Sequence, residues 1–154
     1  MLELIIMRHA HAGEAQTDFT RPLINHGREE AKKVGEIFSK KKLIPDFALV
    51  SPAARTEETY KLISTEWSKC KTRFLDKLYN GPVHALMEAL SECPKDANCV
   101  ILIAHNPGVS ILAEELSLNP HYIGFRPSDW CHMKLNIEKW GDIHPACATI
   151  LDNA

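Results

Sequence analysis

Residues Leu2 to Ala12 read LELIIMRHAHA. Leu2, Leu4, Ile5, Ile6 and Met7 form an apolar run broken only by Glu3. The run is too short for a helix and suits a strand covered on both faces, as in a parallel sheet sheltered by helices. It ends abruptly on Arg8 and His9, with His11 two residues further on. Two chemistries fit that ending. His9 and His11 could form a His-x-His metal pair. Alternatively, Arg8 and His9 could be half of an anion site, with His9 as the reactive group.

The rest of the chain repeats the opening pattern. Phe47–Val50 and Val100–Ala104 are further short apolar runs of the buried-strand type. Between them lie helical stripes. Ala31, Val34, Ile37 and Phe38 line one face of a helix over 27–42, with Pro45 beyond its end. Tyr60, Ile63 and Trp67 mark another over 53–67. Val83, Leu86, Met87 and Leu90, and then Val109, Leu112, Ala113 and Leu116, recur at i, i+3, i+4 and i+7. Residues 73–75 suit a short strand. Met133, Leu135 and Ile137 alternate with His132, Lys134 and Asn136, which predicts a half-exposed edge strand. Strands alternating with helices predict an α/β fold: a three-layer α/β/α domain over residues 1–154, with a mostly parallel central sheet and an antiparallel edge strand.

Composition narrows the function. Of 154 residues, 45% are hydrophobic and 25% charged, the balance of a folded globular chain. A net charge of −2 gives no general attraction to nucleic acid or to an anionic membrane, so a basic site must be local. No apolar run approaches the ~20 residues that cross a bilayer. Met1 leads straight into the first run without a basic leader or a small-residue cleavage site, so no signal peptide is expected; a cytoplasmic location and a monomer are the expectations. Cys70, Cys93, Cys99, Cys131 and Cys147 form no C-x-x-C pair and read as free thiols rather than zinc ligands.

In parallel α/β sheets, ligands bind beyond the carboxyl ends of the strands. Arg8 and His9 follow the first strand. SPAARTEET, residues 51–59, follows the second and carries Arg55. HNPG, residues 105–108, follows the third and opens with His105. Two arginines and two histidines at equivalent strand ends point to one basic pocket. Guanidinium forks match phosphoryl oxygens and keep their charge. Neither G-x-x-x-x-G-K-[ST] nor G-x-G-x-x-G occurs, so the common nucleotide loops are absent.

Taken in order, IIMRHAHA, LVSPAARTEET, the Leu78–Tyr79 pair and ILIAHNPG resemble the histidine phosphatase superfamily, above all its short SixA-type phosphohistidine phosphatase branch. DFTRPL, residues 18–23, followed by Gly27, also resembles a segment of that branch. The resemblance implies that His9 is a nucleophile that becomes transiently phosphorylated. It implies that Arg8, Arg55 and His105 hold the phosphoryl group, with Asp18 and Arg21 as supports at the rim. It implies no cofactor and no metal. The partner it implies is a phosphorylated protein, with a histidine-phosphotransfer domain as one candidate.

The residue chemistry agrees with those roles. Neutral imidazole is a competent nucleophile near pH 7. Two arginines and a protonated His105 would stabilise the transferring group. Ester-cleaving members of the superfamily supply a carboxylic acid between the second and third motifs. Here that stretch holds Asp76 and Glu88, and neither is convincing. Phosphohistidine needs an acid least, because its imidazole can leave neutral, whereas an alkyl ester must leave as alkoxide unless protonated. The expected activity is therefore metal-independent hydrolysis of phosphohistidine in a protein. The rivals are a phosphate-ester phosphatase or mutase with the same site, a phosphoprotein-binding module without turnover, and a His-x-His metallohydrolase. His26, His84, His121, His132 and His144 read as surface or capping residues. Lys40, Lys41 and Lys42 read as a solvated helix end. Trp67, Trp130 and Trp140 read as packing groups.

Overall fold

A computed structural model describes residues 1–120 and 122–154; of the histidines named above, His121 lies outside them. The strands are β1 (Leu2–Arg8), β2 (Phe47–Val50), β3 (Lys71–Phe74), β4 (Cys99–Ala104), β5 (Trp130–Leu135) and β6 (Ala148–Asn153). The helices are α1 (Asn25–Lys40), α2 (Ala54–Ile63), α3 (Val83–Ser91) and α4 (Gly108–Leu116). They build one six-stranded sheet in the order β3-β2-β4-β1-β5-β6. The first four strands of that order run parallel, while β5 and β6 add antiparallel.

The sheet has a core on each face. Leu4 and Ile6 of β1, Leu49 of β2 and Leu102 of β4 join the apolar stripes of α3 and α4. Ile5 and Met7, Val50, and Ile101 and Ile103 join α1, α2 and Trp67. Successive side chains of a strand point to opposite faces, so an unbroken apolar run serves two cores at once. Trp67 and Trp130 both pack around Phe38, and Trp140 lies in the opposite core.

Several boundaries shift. Helix α1 begins at Asn25 and ends at Lys40, and the chain turns at Lys42 with a φ of 56°, before Pro45 is reached. Helix α2 stops at Ile63 rather than Trp67. Trp67 is buried from the turn that follows, so its spacing reflects burial and not helix. Strand β3 covers Lys71–Phe74 rather than 73–75. The predicted edge strand lies one place further in: β5 pairs with β1 on one side and β6 on the other, and β6 is the edge. Along β6 only Ala148 and Ile150 offer apolar groups on the inner face, while Leu151 is exposed, so its period of two is too short to stand out.

One close approach fixes the segment after β1 against α1. A Cβ on Gly27 would overlap the carbonyl of His11, and that backbone has no flexible end to yield. His11 O also accepts the Ile24 N–H at 3.1 Å, just before the helix starts. Gly27→Ala should therefore destabilise the fold by about 1–3 kcal/mol, as overpacking does. In thermal melts this is a drop of several degrees, at roughly 2–4 °C per kcal/mol for a chain of this size. An unchanged melting temperature would show that the segment gives way freely.

No helix among the described residues is long and apolar enough to cross a membrane.

Candidate active site

Three strand ends converge. Arg8 ends β1 and His9 follows it. Ser51 follows β2, and Arg55 lies in the first turn of α2. His105 follows β4 and precedes α4. His9, Arg55 and His105 are buried, at 8%, 4% and 6% exposure. The His9 and His105 rings lie 5.2 Å apart between centroids.

His9 is held in one orientation. Its Nδ1 lies 2.7 Å from the Ala10 carbonyl oxygen, which can only accept, so Nδ1 carries the proton. Nε2 therefore keeps its lone pair, and Arg55 Nε donates to it at 3.3 Å. Burial first, then the charges of Arg55 and Arg8, lower the His9 pKa to about 4, although the bond to Ala10 opposes them. The ring is neutral at physiological pH. Thr59 Oγ1 accepts the Ala10 N–H at 3.1 Å and donates to the Arg55 carbonyl at 2.7 Å, linking the two motifs through one hydroxyl.

His105 differs from the expected protonated donor. Burial, followed by His9 and Arg55, lowers its pKa to about 3. In the free protein it is a neutral ring. Its Nε2 pairs with Ser51 Oγ at 2.7 Å, and among the described residues its buried Nδ1 has no hydrogen-bond partner. Arg8 donates from Nη1 to the Phe125 carbonyl at 3.0 Å, and its buried Nε also lacks a partner among the described residues. Asn106 Nδ2 donates to the same carbonyl at 2.7 Å, so the Asn of HNPG helps anchor the loop that positions Arg8.

Asp18 is placed more centrally than a rim support. Arg55 donates from Nη1 to its carbonyl at 2.7 Å and from Nη2 to its Oδ2 at 3.1 Å. Arg21 donates to Oδ1 at 3.1 Å, and the Tyr79 hydroxyl to Oδ2 at 2.6 Å. These hydrogen bonds, from Tyr79 first, then Arg21 and Arg55, hold the Asp18 carboxyl far below the usual carboxylate range. Tyr79 also sets its ring edge-on to His105 at 5.6 Å. Sequence reading missed Ser51, Thr59 and Tyr79 as site residues. All three lie within motifs it quoted, and their hydroxyls inside those motifs were the available signal.

The other carboxylates are elsewhere. Glu88 is exposed and pairs with Lys77 at 3.0 Å, and Asp76 is exposed at the start of a short 3₁₀ turn. His11 turns away from His9 and meets Glu30, its Nδ1 2.7 Å from Oε1. Among the described residues, no group of metal-spaced ligands includes His9. Beside His105, Leu78, Pro82, Leu86, Pro107 and Ile111 help to line a cavity of about 270 Å³.

The two buried neutral rings make stability depend on pH. Both folded pKa values lie below the ordinary histidine value of 6.5. The unfolded chain therefore binds these protons first as pH falls. Their full contribution to stability is present above about pH 6.5 and is lost progressively toward pH 4 and below. Denaturant melts between pH 7 and 4.5 should show this decline, and His105→Gln should flatten it. An equal slope in that variant would remove His105 as a source.

No protein-family model matches the chain. An uncharacterised chloroplast protein of Arabidopsis thaliana is 28% identical over 127 residues, which cover 74% of this chain and 58% of that relative's length. A structure assigned as the phosphohistidine phosphatase SixA of Nakamurella multipartitia superposes with a TM-score of 0.90 at 25% identity, covering 99% of this chain and 95% of the other. The protein histidine phosphatase SixA in complex with tungstate gives 0.83 at 24% identity, over 99% and 96%. Ester phosphatases share the fold at lower similarity, with TM-scores of 0.71 and 0.69. The ordered strand-end motifs and the sheet that gathers them are thus similar to those of SixA-type structures of the histidine phosphatase superfamily, whose fold the chain shares.

Proposed function

We propose that the chain is a phosphatase that forms a phosphoryl-enzyme on His9 and acts on phosphohistidine in a partner protein without a metal cofactor. The observation that carries this reading is the state of His9. The ring is neutral and its Nδ1–H is tied to Ala10, so the lone pair on Nε2 faces Arg55.

In the first step the Nε2 lone pair attacks phosphorus. The new N–P bond forms as the substrate's N–P bond breaks, and the departing imidazole leaves neutral if its other nitrogen is protonated. His9 then carries the phosphoryl group and the Nδ1 proton together, a cationic ring whose N–H is stabilised by the Ala10 carbonyl. Arg8 and Arg55 neutralise the phosphoryl oxygens in both steps. Two guanidinium groups supply the positive charge that a metal would otherwise bring. An arriving phosphoryl group competes with Asp18 for Arg55, and its negative charge raises the pKa of His105 toward the donor form. Water then attacks phosphorus, the enzyme N–P bond breaks, and His9 returns to its neutral state as phosphate leaves.

None of the carboxylates weighed for the acid offers a neutral carboxylic acid to the pocket: Asp18 is ionised, and Asp76 and Glu88 are exposed. That favours a leaving group that needs no donated proton. The SixA neighbours support the same substrate class. The test is a screen of phosphohistidine peptides and a phosphorylated histidine-phosphotransfer domain against phosphoserine, phosphotyrosine and sugar phosphates. Faster turnover of phosphohistidine is expected, and equal or faster ester turnover would overturn the substrate assignment. In the same assay Asp76→Asn and Glu88→Gln should each lower phosphohistidine turnover by less than the ~10²–10⁴-fold of a true general acid. A thousandfold loss at either, confined to poor leaving groups, would move the protein to the ester phosphatases.

A further inference from the structure

The His-x-His pair raised by the sequence is split by the fold. His9 goes to the phosphoryl pocket, and His11 goes to a different set of ligand atoms. His26 and Glu30 lie at i and i+4 on the first turns of α1, on one face of the helix. His11 reaches them from the segment after β1. The ligand atoms of His11, His26 and Glu30 all lie within 4.8 Å of one another. His26 Nε2 is 3.5 Å from Glu30 Oε2, and His11 Nδ1 is 2.7 Å from Glu30 Oε1. The two rings are 5.2 Å apart and tilted by 55°.

We infer that His11, His26 and Glu30 form a binding site for a divalent transition-metal ion of the zinc class, outside the phosphoryl pocket. The cluster is held by backbone and not by chance side-chain encounters. Glu30 Oε1 also accepts the His11 N–H at 3.1 Å, the His11 carbonyl accepts the Ile24 N–H at 3.1 Å, and Gly27 lets the two backbones touch. Two imidazoles and one carboxylate suit zinc, with a fourth tetrahedral position left for water. Ligand atoms about 2.0–2.2 Å from such an ion stand roughly 3.3–3.5 Å apart, close to the His26–Glu30 separation. Two imidazoles argue against magnesium and calcium, which prefer oxygen ligands. The side chains of His11 and His26 are 44% and 69% exposed, so an ion can enter from solvent, while Glu30, at 21%, supplies the charge from below. The positive end of the α1 dipole opposes a cation here, and the Glu30 carboxylate offsets it.

The site would bear on the enzyme through its position. His11 is separated from His9 only by Ala10, whose carbonyl fixes the His9 tautomer. An ion bridging His11 to α1 would staple that segment to the helix without touching the reacting atoms. Stapling stabilises the folded state by mass action, because the three ligands come together only on folding.

The test uses tag-free protein stripped with EDTA and titrated with zinc chloride by calorimetry, with thermal melts in parallel. One zinc ion per chain is expected, with a melting temperature that rises with zinc. His26→Ala should weaken zinc affinity by more than ~100-fold, beyond the loss typical of an outer-shell change, and should abolish the thermal shift. The unliganded fold should persist because His26 is exposed. Glu30→Gln can still accept the His11 N–H but loses the charged ligand, and should also fail to bind. His9→Ala should bind zinc like the wild type. Absence of binding by the wild type, or wild-type affinity in His26→Ala, would overturn the site. Loss of binding in His9→Ala with retention in His26→Ala would return the metal to the His9–His11 pair.

Discussion

His9→Ala should abolish turnover and leave the fold intact. The ring lies at the end of β1, outside both apolar cores, so its loss removes little packing. The backbone around it is held independently: Ala10 N–H bonds to Thr59, and His9 N–H to the Ala104 carbonyl at 3.3 Å. Arg55 loses one acceptor but keeps two hydrogen bonds to Asp18. The pocket should therefore remain, without the atom that bonds to phosphorus. When a nucleophile acts in concert with its neighbours, losing it costs about as much as losing the whole group, here about 10⁴–10⁶-fold in kcat. Rapid-quench labelling should find an acid-labile phosphoryl group on the wild type and none on the variant. Equal labelling of His9→Ala would show that another residue is the nucleophile.

The second large effect is expected at Arg55, where lysine should fail nearly as badly as alanine. In the free protein the three guanidinium nitrogens are each engaged. Nε donates to His9 Nε2, Nη1 to the Asp18 carbonyl, and Nη2 to the Asp18 carboxylate. The planar fork therefore does two jobs at once. In the proposed reaction it presents donors to the incoming phosphoryl oxygens, and it donates to the lone pair of His9 Nε2. A lysine ammonium keeps the charge, but it is a point donor on a flexible stem and cannot satisfy both directions. Losing an oriented donor of this kind costs about 10²–10³-fold in kcat. Both Arg55→Lys and Arg55→Ala should show that loss in kcat/KM with an activated aryl phosphate. Lysine activity within tenfold of the wild type would mean that only the charge of Arg55 matters.

The local sequence carries the α/β architecture and its three chemical strand ends. Leu2–Met7, Phe47–Val50 and Val100–Ala104 are apolar on both faces, and only a sheet covered on both sides buries such runs. The rule that ligands collect at strand ends then brings Arg8, His9, Arg55 and His105 into consideration together. These readings need only spacing and residue type along a few turns of chain.

What the sequence left open depends on which distant segments meet, and only the tertiary structure decides that. β6 is an edge because β5 has room for a partner, not because its own six residues alternate strongly. Asp18 becomes the carboxylate of the pocket because its loop folds over α2 and meets Tyr79, sixty-one residues away along the chain. His105 is neutral rather than protonated because burial among Arg55, Arg8 and His9 penalises a further positive charge. His11, two residues after His9 in sequence, is turned by Gly27 and Glu30 onto another surface. Periodicity is a local property and can be read along the chain. Charge state and hydrogen-bond partnership come from solvent exclusion and from long-range neighbours, which exist only once the chain has folded.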